Sequence, residues 1–185
     1  MSEFNQDKIA DKFLLQKTNG FFLDIGSSYY KEWNNSYFFE KERNYRGVAI
    51  ELNPEFCEGW EENRPNTILI NEDATKINYK EILEKANAPS HIDFLSIDID
   101  PNTATFEALL NVLKTNYTFG VIAFEVDYGG DLQYKDRFSV RDFSRALLVA
   151  KDYILTKEIY ARPNYHVDDI WVHKSIYNYD IEKSL

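Results

Sequence analysis

Gly20-Phe21-Phe22-Leu23-Asp24-Ile25-Gly26-Ser27-Ser28 is the stretch whose reading decides the fold. Five mostly apolar residues stand between two glycines, a length that suits a buried strand and is too short for a helix. A glycine turn directly after such a strand lets backbone N–H groups approach a ligand, because no Cβ blocks the way. The alternative reading of Gly26 to Ser28 is a plain tight turn.

Downstream, the pattern repeats. Gly47-Val48-Ala49-Ile50-Glu51-Leu52, Thr67-Ile68-Leu69-Ile70-Asn71, Ile92 to Asp100 and Gly120 to Val126 read as four more buried strands. Helical stretches lie between them: Asn35 to Arg43 with Asn35 or Ser36 as N-cap, Glu55 to Asn63 behind the Asn53-Pro54 stop, Tyr79 to Ala86, and Ala104 to Lys114. An amphipathic helix over Phe4 to Lys17 precedes the first strand. A helix over Ser139 to Lys151, with Ser139 as its cap, follows the last. Two strands with no helix between them, Tyr153 to Tyr160 and Tyr165 to His173, close the chain as a hairpin around Arg162-Pro163-Asn164. Alternating βα units with a terminal hairpin imply an α/β fold, a doubly wound and mostly parallel sheet with an antiparallel C-terminal edge. The polar stretch from Asp127 to Arg137, with Gly129-Gly130, is long enough to act as a flap.

The 185 residues, 44% of them hydrophobic, suffice for one domain with a sizeable core. That domain is expected to divide into an N-terminal helix (1–19), a ligand-binding core (20–130) and a C-terminal helix with hairpin (131–185). Twenty-one basic against 31 acidic residues leave a net charge of −10, a field that repels phosphate backbones, so nucleic acid is not an expected partner. No run approaches the roughly 20 apolar residues of a membrane span, and Met1 to Asp7 is not a signal peptide. A soluble, cytoplasmic protein without a membrane partner is expected. The single cysteine, Cys57, excludes both an intramolecular disulfide and a zinc site built on cysteines; it reads as inert packing within Glu55 to Arg64, a segment that reads as a solvated helix face. No nucleophile elbow supports hydrolase chemistry.

In open α/β sheets, ligands bind beyond the C-terminal ends of the strands. Four of the five parallel strands end in acid: Asp24, Glu51, Asp98 with Asp100, and Glu125 with Asp127. Carboxylates gathered on one edge repel one another, so something cationic or rich in hydroxyls is expected among them. Glu51 stands 25 positions after Gly26, close to the roughly 20-residue offset at which an acid accepts ribose hydroxyls. The alternative is that Glu51 caps the Asn53-Pro54 turn. The first loop has one glycine where a dinucleotide fingerprint has three, which disfavours a pyrophosphate. S-adenosylmethionine (SAM), an adenosine with an amino-acid end and a sulfonium cation, suits a carboxylate-rich rim better.

Phe22-Leu23-Asp24-Ile25-Gly26, Asn35 to Lys41, Tyr45 to Pro54, Ile92 to Asp100 and Ala123-Phe124-Glu125-Val126 together resemble the FkbM-like class I SAM-dependent methyltransferases, in family order across residues 20 to 130. The resemblance implies a seven-stranded Rossmann-like methyltransferase sheet with SAM across strands one, two and four. Carried over by position, Asp24 and Gly26, with Ser27 beside them, line the methionine end. Glu51 holds the ribose, Asp73 and Ala74 flank the adenine, and Asp98 sits near the transferring methyl. The chain departs from the family at Ser28 or Tyr29, where a second glycine is common, and at Pro101, where glycine is usual.

The resemblance implies O-methylation of a sugar or other small hydroxylated acceptor, a small molecule or a glycan. Asp98, Asp100, Glu125 and His166 are the candidate base or acceptor-orienting groups. A lone histidine before a strand, as His166 is, is more often an ordinary surface residue, and Asp168-Asp169 reads as part of a turn or edge strand. Asp98, Asp100 and Asp127 are oxygen ligands suited to a divalent cation such as magnesium. Two rival readings are a non-catalytic nucleoside-binding module of the same fold and a Rossmann-type nucleotide-sugar or dinucleotide enzyme.

Overall fold

The computed structural model of the chain describes residues 2–129 and 135–185. Seven strands form one sheet: β1 (Phe21–Ile25), β2 (Arg46–Ile50), β3 (Thr67–Ile70), β4 (His91–Ile97), β5 (Thr118–Gly129), β6 (Tyr153–Arg162) and β7 (Tyr165–His173). Their order is β3-β2-β1-β4-β5-β7-β6. The first five run parallel, and β7 runs antiparallel to both β5 and β6. The antiparallel member is therefore inserted next to β5, and β6 takes the edge.

All five residues of β1 are buried, because helices cover both faces of the sheet. On one face α1 (Gln6–Phe13) and α2 (Tyr37–Arg43) pack Ala10, Phe13, Phe38 and Phe39 against Phe22, Phe94 and Val121. On the other, α4 (Tyr79–Lys85), α5 (Asn102–Leu113) and α6 (Lys135–Ala150) pack Leu83, Leu109, Val112 and Leu148 against Leu23, Val48 and Leu95. Alternate residues of β1 thus serve opposite cores, and each fully buried Phe or Leu contributes about 2 kcal/mol of transfer free energy.

Several boundaries differ from the sequence reading. The helix expected over Glu55 to Asn63 is broken at Gly59, whose φ of 76° ends a 3₁₀ turn (Pro54–Cys57) before the short α3 (Trp60–Asn63). Glu51 and Asp98 lie just past the ends of β2 and β4. β5 runs on to Gly129 and α6 begins at Lys135, so both ends of the flap expected over Asp127 to Arg137 belong to regular elements, and its middle, 130–134, lies outside the described residues. Ser139 falls inside α6 and is not its cap.

Segment 55–64 is solvated along Glu55, Glu58, Glu61 and Glu62, as expected, but Trp60 and Arg64 turn inward. Arg64 is 1% exposed, and its guanidinium donates to Glu40 Oε2 (2.6 Å), Asn34 Oδ1 (3.0 Å), the Tyr30 carbonyl (2.9 Å) and Ser36 Oγ (2.9 Å). Glu40 also accepts from Thr67 Oγ1 and from the Asn66 N–H. The pair fastens α2 and the β1–α2 loop to the start of β3.

At the end of β1 the turn is fixed sterically. Gly26 has φ 78°, and a Cβ there would meet the Asp98 carbonyl oxygen at 1.8 Å. Its N–H donates to Ile50 O (2.9 Å), while Asp98 N–H donates to Ile25 O (2.9 Å). Gly26→Ala is expected to lower unfolding free energy by more than about 2 kcal/mol. Glu40→Ala, which strands a buried guanidinium, should cost about 3–5 kcal/mol. Urea unfolding of both variants beside the unaltered protein checks these values.

Candidate functional site

The chain passes from β1 out to β2 and β3 and returns through β4 on the other side of β1, which opens a crevice between the ends of β1 and β4. Two adjoining cavities occupy this end of the sheet, and Glu3, Trp33 and Asp98 line both.

The larger, about 490 Å³, is walled by Gly26, Ser28, Glu51, Leu52, Asp73, Ala74, Ile99 and Asp100 among others. Its size falls in the usual range of cofactor sites. Glu51 is nearly buried; its Oε2 accepts the Ser28 N–H and its Oε1 the Asn53 N–H, both at 2.8 Å. It therefore caps the Asn53-Pro54 turn and also pins the first loop, and each oxygen keeps a second lone pair for a ligand hydroxyl. Ser28 has φ 55°, the left-handed conformation that a glycine would favour. Asp73 accepts from Thr75 and pairs with Lys76 at 2.7 Å, and these bonds hold its carboxyl down at about 2. The exposed apolar side chain of Leu52 and the partly buried Ile99 flank the same space.

Asp24 and Ser27 lie behind this wall and line neither cavity. Asp24 Oδ2 accepts from Ser36 Oγ (2.6 Å) and Asn34 Nδ2 (3.3 Å), and burial raises its carboxyl pKa against the pull of Ser36 and Arg64. Ser27 Oγ donates to Ile50 O.

The smaller cavity, about 300 Å³, is lined by Asp98, Glu125, Asp127 and Asp168 together with Trp33, Asn35 and Tyr165. Glu125 on β5 stands directly opposite Asp168 on β7, an arrangement in which like charges repel. Asp98 is hydrogen-bonded to Glu125. Burial raises the pKa of all three, most strongly at Glu125. Asp98 and Asp100 push Glu125 further up, and Asp24 and Asp100 do the same to Asp98, although Asp98 itself opens to water in the cleft. Asp168, 4% exposed, is pushed up to about 7, with Asp98 adding to the effect and a 2.8 Å bond from Gln6 Nε2 opposing it. The sequence reading placed the Asp168-Asp169 pair in a turn or edge strand; both lie buried in the middle of β7.

Of the four candidate catalytic groups, Asp98 and Glu125 meet in the small cavity, Asp100 lines the larger one, and His166 lines neither. The His166 ring is neither a surface residue nor part of the site. It is 1% exposed, stacked on Tyr160, with Nε2 2.9 Å from both Asp168 O and Asp169 Oδ1. The magnesium set of Asp98, Asp100 and Asp127 does not converge. Among the described residues only Glu158, His166 and Asp169 bring ligand atoms within 4.8 Å of one another, and Arg145 already bridges Glu158 and Asp169 there. Cys57, partly buried with its thiol raised by burial, donates to Asn53 O, as inert packing requires. Residues that the sequence reading did not place in the site are Glu3, Gln6, Trp33, Leu52 and Asp168. The richness of the sequence in aromatics, with 13 Tyr, 13 Phe and 3 Trp, is the one signal that hints at an aromatic such as Trp33 near the site.

Strand order, crevice and helical layers define a Rossmann-like methyltransferase fold, and solved structures agree. A protein of the NADB-Rossmann superfamily from Streptococcus agalactiae superposes with a TM-score of 0.60 at 13% identity, covering 94% of this chain and 68% of that one. Fibrillarin from Aeropyrum pernix with natively bound SAM gives 0.55 at 15% identity, covering 91% and 76%. TrmK from M. capricolum in complex with S-adenosylhomocysteine (SAH) gives 0.57 at 13% identity, covering 94% and 70%. At such identities the likeness establishes the fold alone. No protein-family model and no curated protein matches the chain. Among the described residues no helix is long and apolar enough to cross a membrane.

The crowded carboxyls make a stability prediction. Asp168 binds its proton more tightly folded (about 7) than unfolded (3.8), so the native state carries more protons in between and loses stability as pH rises across that window. Asp168→Asn keeps the bond from Gln6 without the charge. It is expected to be about 1–3 kcal/mol more stable than the unaltered protein at pH near 8, with the gap narrowing below about 7 and closing as pH falls towards 3.8. Chemical denaturation across pH checks the sign and the window.

Proposed function

We propose that the chain is a SAM-dependent methyltransferase acting on a small acceptor held in the 300 Å³ cavity. The observation that carries this reading is the pair of adjoining cavities sharing Asp98 at the β1–β4 crevice. One suits an adenosine with its amino-acid tail, and the other holds carboxyls able to take a proton. When bound, SAM would supply an electrophilic methyl group.

In this reading Glu51 accepts the ribose hydroxyls with the lone pairs it has left. Leu52, Ala74 and Ile99 give the adenine an apolar slot, and Asp73 stands at its edge. The Gly26 turn brings the loop backbone within reach of the amino-acid end, with Asp24 steadying that loop from behind through Asn34 and Ser36. Asp98 stands where the two cavities meet, beside the reacting centre. Glu125 and Asp168 take the acceptor's proton, and their raised pKa values make them stronger bases than ordinary carboxylates. A sugar-type hydroxyl is the acceptor implied by the FkbM-like resemblance. Such a hydroxyl would be oriented by Asn35, whose Nδ2 is fixed on Ser96 Oγ (2.9 Å) and whose side chain faces the cavity. The net charge of −10 and the acidic cavity support a small molecule over a nucleic acid.

Calorimetry with SAH is expected to show one site per chain. Glu51→Ala should weaken it by at least about tenfold, the effect of losing hydrogen bonds to a charged group. No heat of binding to folded protein would end this reading. With an acceptor in hand, Glu125→Gln should lower turnover by about 10²-fold or more. The acid limb of the rate profile should then rise through the Asp168 value of about 7, because the base works only when deprotonated.

A further inference from the structure

The small cavity has a one-sided chemistry that a neutral hydroxyl does not account for. Five of its lining residues are acids, and among the described residues no Lys, Arg or His lines it. Asp98, Glu125 and Asp168 have only neutral partners apart from one another: Gln6 Nε2 on Asp168 Oδ2, and Thr105 Oγ1 on Glu125 Oε2 at 3.4 Å. Asp168 Oδ1 has no hydrogen-bond donor, although the residue is 4% exposed and lines the cavity. Two arginines of this side are engaged elsewhere. Arg145 binds Glu158 and Asp169, and Arg162 packs over the Tyr165 ring, 5.0 Å from its centroid. That carboxyl oxygen of Asp168 opens to the cavity, where a ligand's donor can take the place of water.

Neighbouring carboxyls of this kind, tied to one another by a hydrogen bond, lack a counter-ion. A metal ion is a poor candidate, since the oxygens of Asp98, Glu125 and Asp168 do not converge within the 4.8 Å that groups Glu158, His166 and Asp169. An ammonium group matches better. It carries three diverging N–H donors, tolerates more widely spaced acceptors, and is attracted to the aromatic faces of Trp33 and Phe4 at the same cavity.

The geometry points to a small amine as the methyl acceptor, its protonated nitrogen held by Asp98, Glu125 and Asp168 and methylated there. This rests on the methyltransferase reading and replaces the sugar hydroxyl with nitrogen. Because Asp98 lines both cavities, a nitrogen held by it lies at their junction and not at the far end. The step balances without another reactant. One carboxylate of the cluster removes a proton from the ammonium, and the freed nitrogen lone pair forms the C–N bond as the C–S bond breaks. The bonding pair remains on sulfur, the positive charge passes from sulfur to nitrogen, and the carboxyl proton leaves to water.

The test is calorimetry on protein saturated with SAH, titrated with a panel of small primary amines, amino sugars among them, and with the alcohol of each skeleton. Amines are expected to bind at least about tenfold more tightly than their alcohols, as charge-assisted hydrogen bonds require. Asp168→Asn and Glu125→Gln should each erase that preference while SAH still binds. Labelled methyl from SAM should appear on nitrogen. Equal or tighter binding of the alcohols, binding of neither series to SAH-loaded protein, or label on oxygen overturns the proposal. Failure of SAH itself to bind strikes the methyltransferase reading first, so the two failures are distinguishable.

Discussion

A guanidinium with almost no exposed surface holds the site together. Arg64 reaches under the β1–α2 loop and joins Glu40 on α2, the Tyr30 carbonyl, Asn34 and Ser36. Ser36 and Asn34 pass that order on to Asp24, and Asn34 also holds the Ser27 carbonyl at 2.7 Å. The loop that walls the larger cavity is therefore fixed from below by a charge network and from above by Glu51. Charges buried this way are stable only when every partner is in place, because removal of any one leaves the others in a low-dielectric interior. The energetic function of Asp24 lies in this network, which explains why a strand-end acid sits behind the cavity wall.

The fold was legible because its signals are local. β1, β2 and β4 are short, mostly apolar runs bounded by glycine, proline or polar residues, and the strand-end acids marked the functional edge. The contacts that build the site from afar were not legible. Arg64 sits in a charged stretch that reads as surface, and only its meeting with Glu40, 24 residues earlier, turns it inward. Asp168 looks like a turn residue until β7 is inserted beside β5, placing it opposite Glu125. Gln6 reaches the site from α1 across 162 residues, a contact no periodicity reveals. The Asp98–Asp100–Asp127 grouping failed for a related reason. Adjacency at strand ends fixes which edge a carboxyl belongs to but not where it turns, and Asp98 turns to Glu125 while Asp127 accepts from Tyr165.

Stability and chemistry pull against each other at the small cavity. Cross-strand carboxylates, with a third tied to one of them, are a poor choice for folding. The sheet carries this strain because β4, β5 and β7 are fixed by the apolar packing of Ile97, Phe124 and Ile170 on its two faces. Two bland explanations fail here. The acids are not merely a solvated rim, since Asp168 is buried although Asp98 meets water, and they are not a metal cage, since their oxygens do not converge. What is left is a set of carboxyls that burial and mutual repulsion push upward, Asp168 to about 7 and Glu125 further still, the kind of perturbation that gathers at functional sites.

The single glycine of the first loop looked like the weakest point of a cofactor reading, and the backbone resolves it. Gly26 is irreplaceable on steric grounds, because the end of β4 passes where its Cβ would be. A second glycine would serve at Ser28 to admit a positive φ. Here serine adopts that conformation, at about 1 kcal/mol, the usual cost for a non-glycine residue. Two bonds hold it there: its N–H on Glu51 Oε2 and its carbonyl under the Trp60 indole N–H at 3.2 Å. Glu51 thus shapes the loop with one lone pair of each oxygen and faces the cavity with the rest. The turn after β1 keeps the form of a two-glycine loop while its sequence shows one, so the missing glycine is no argument against a bound nucleoside.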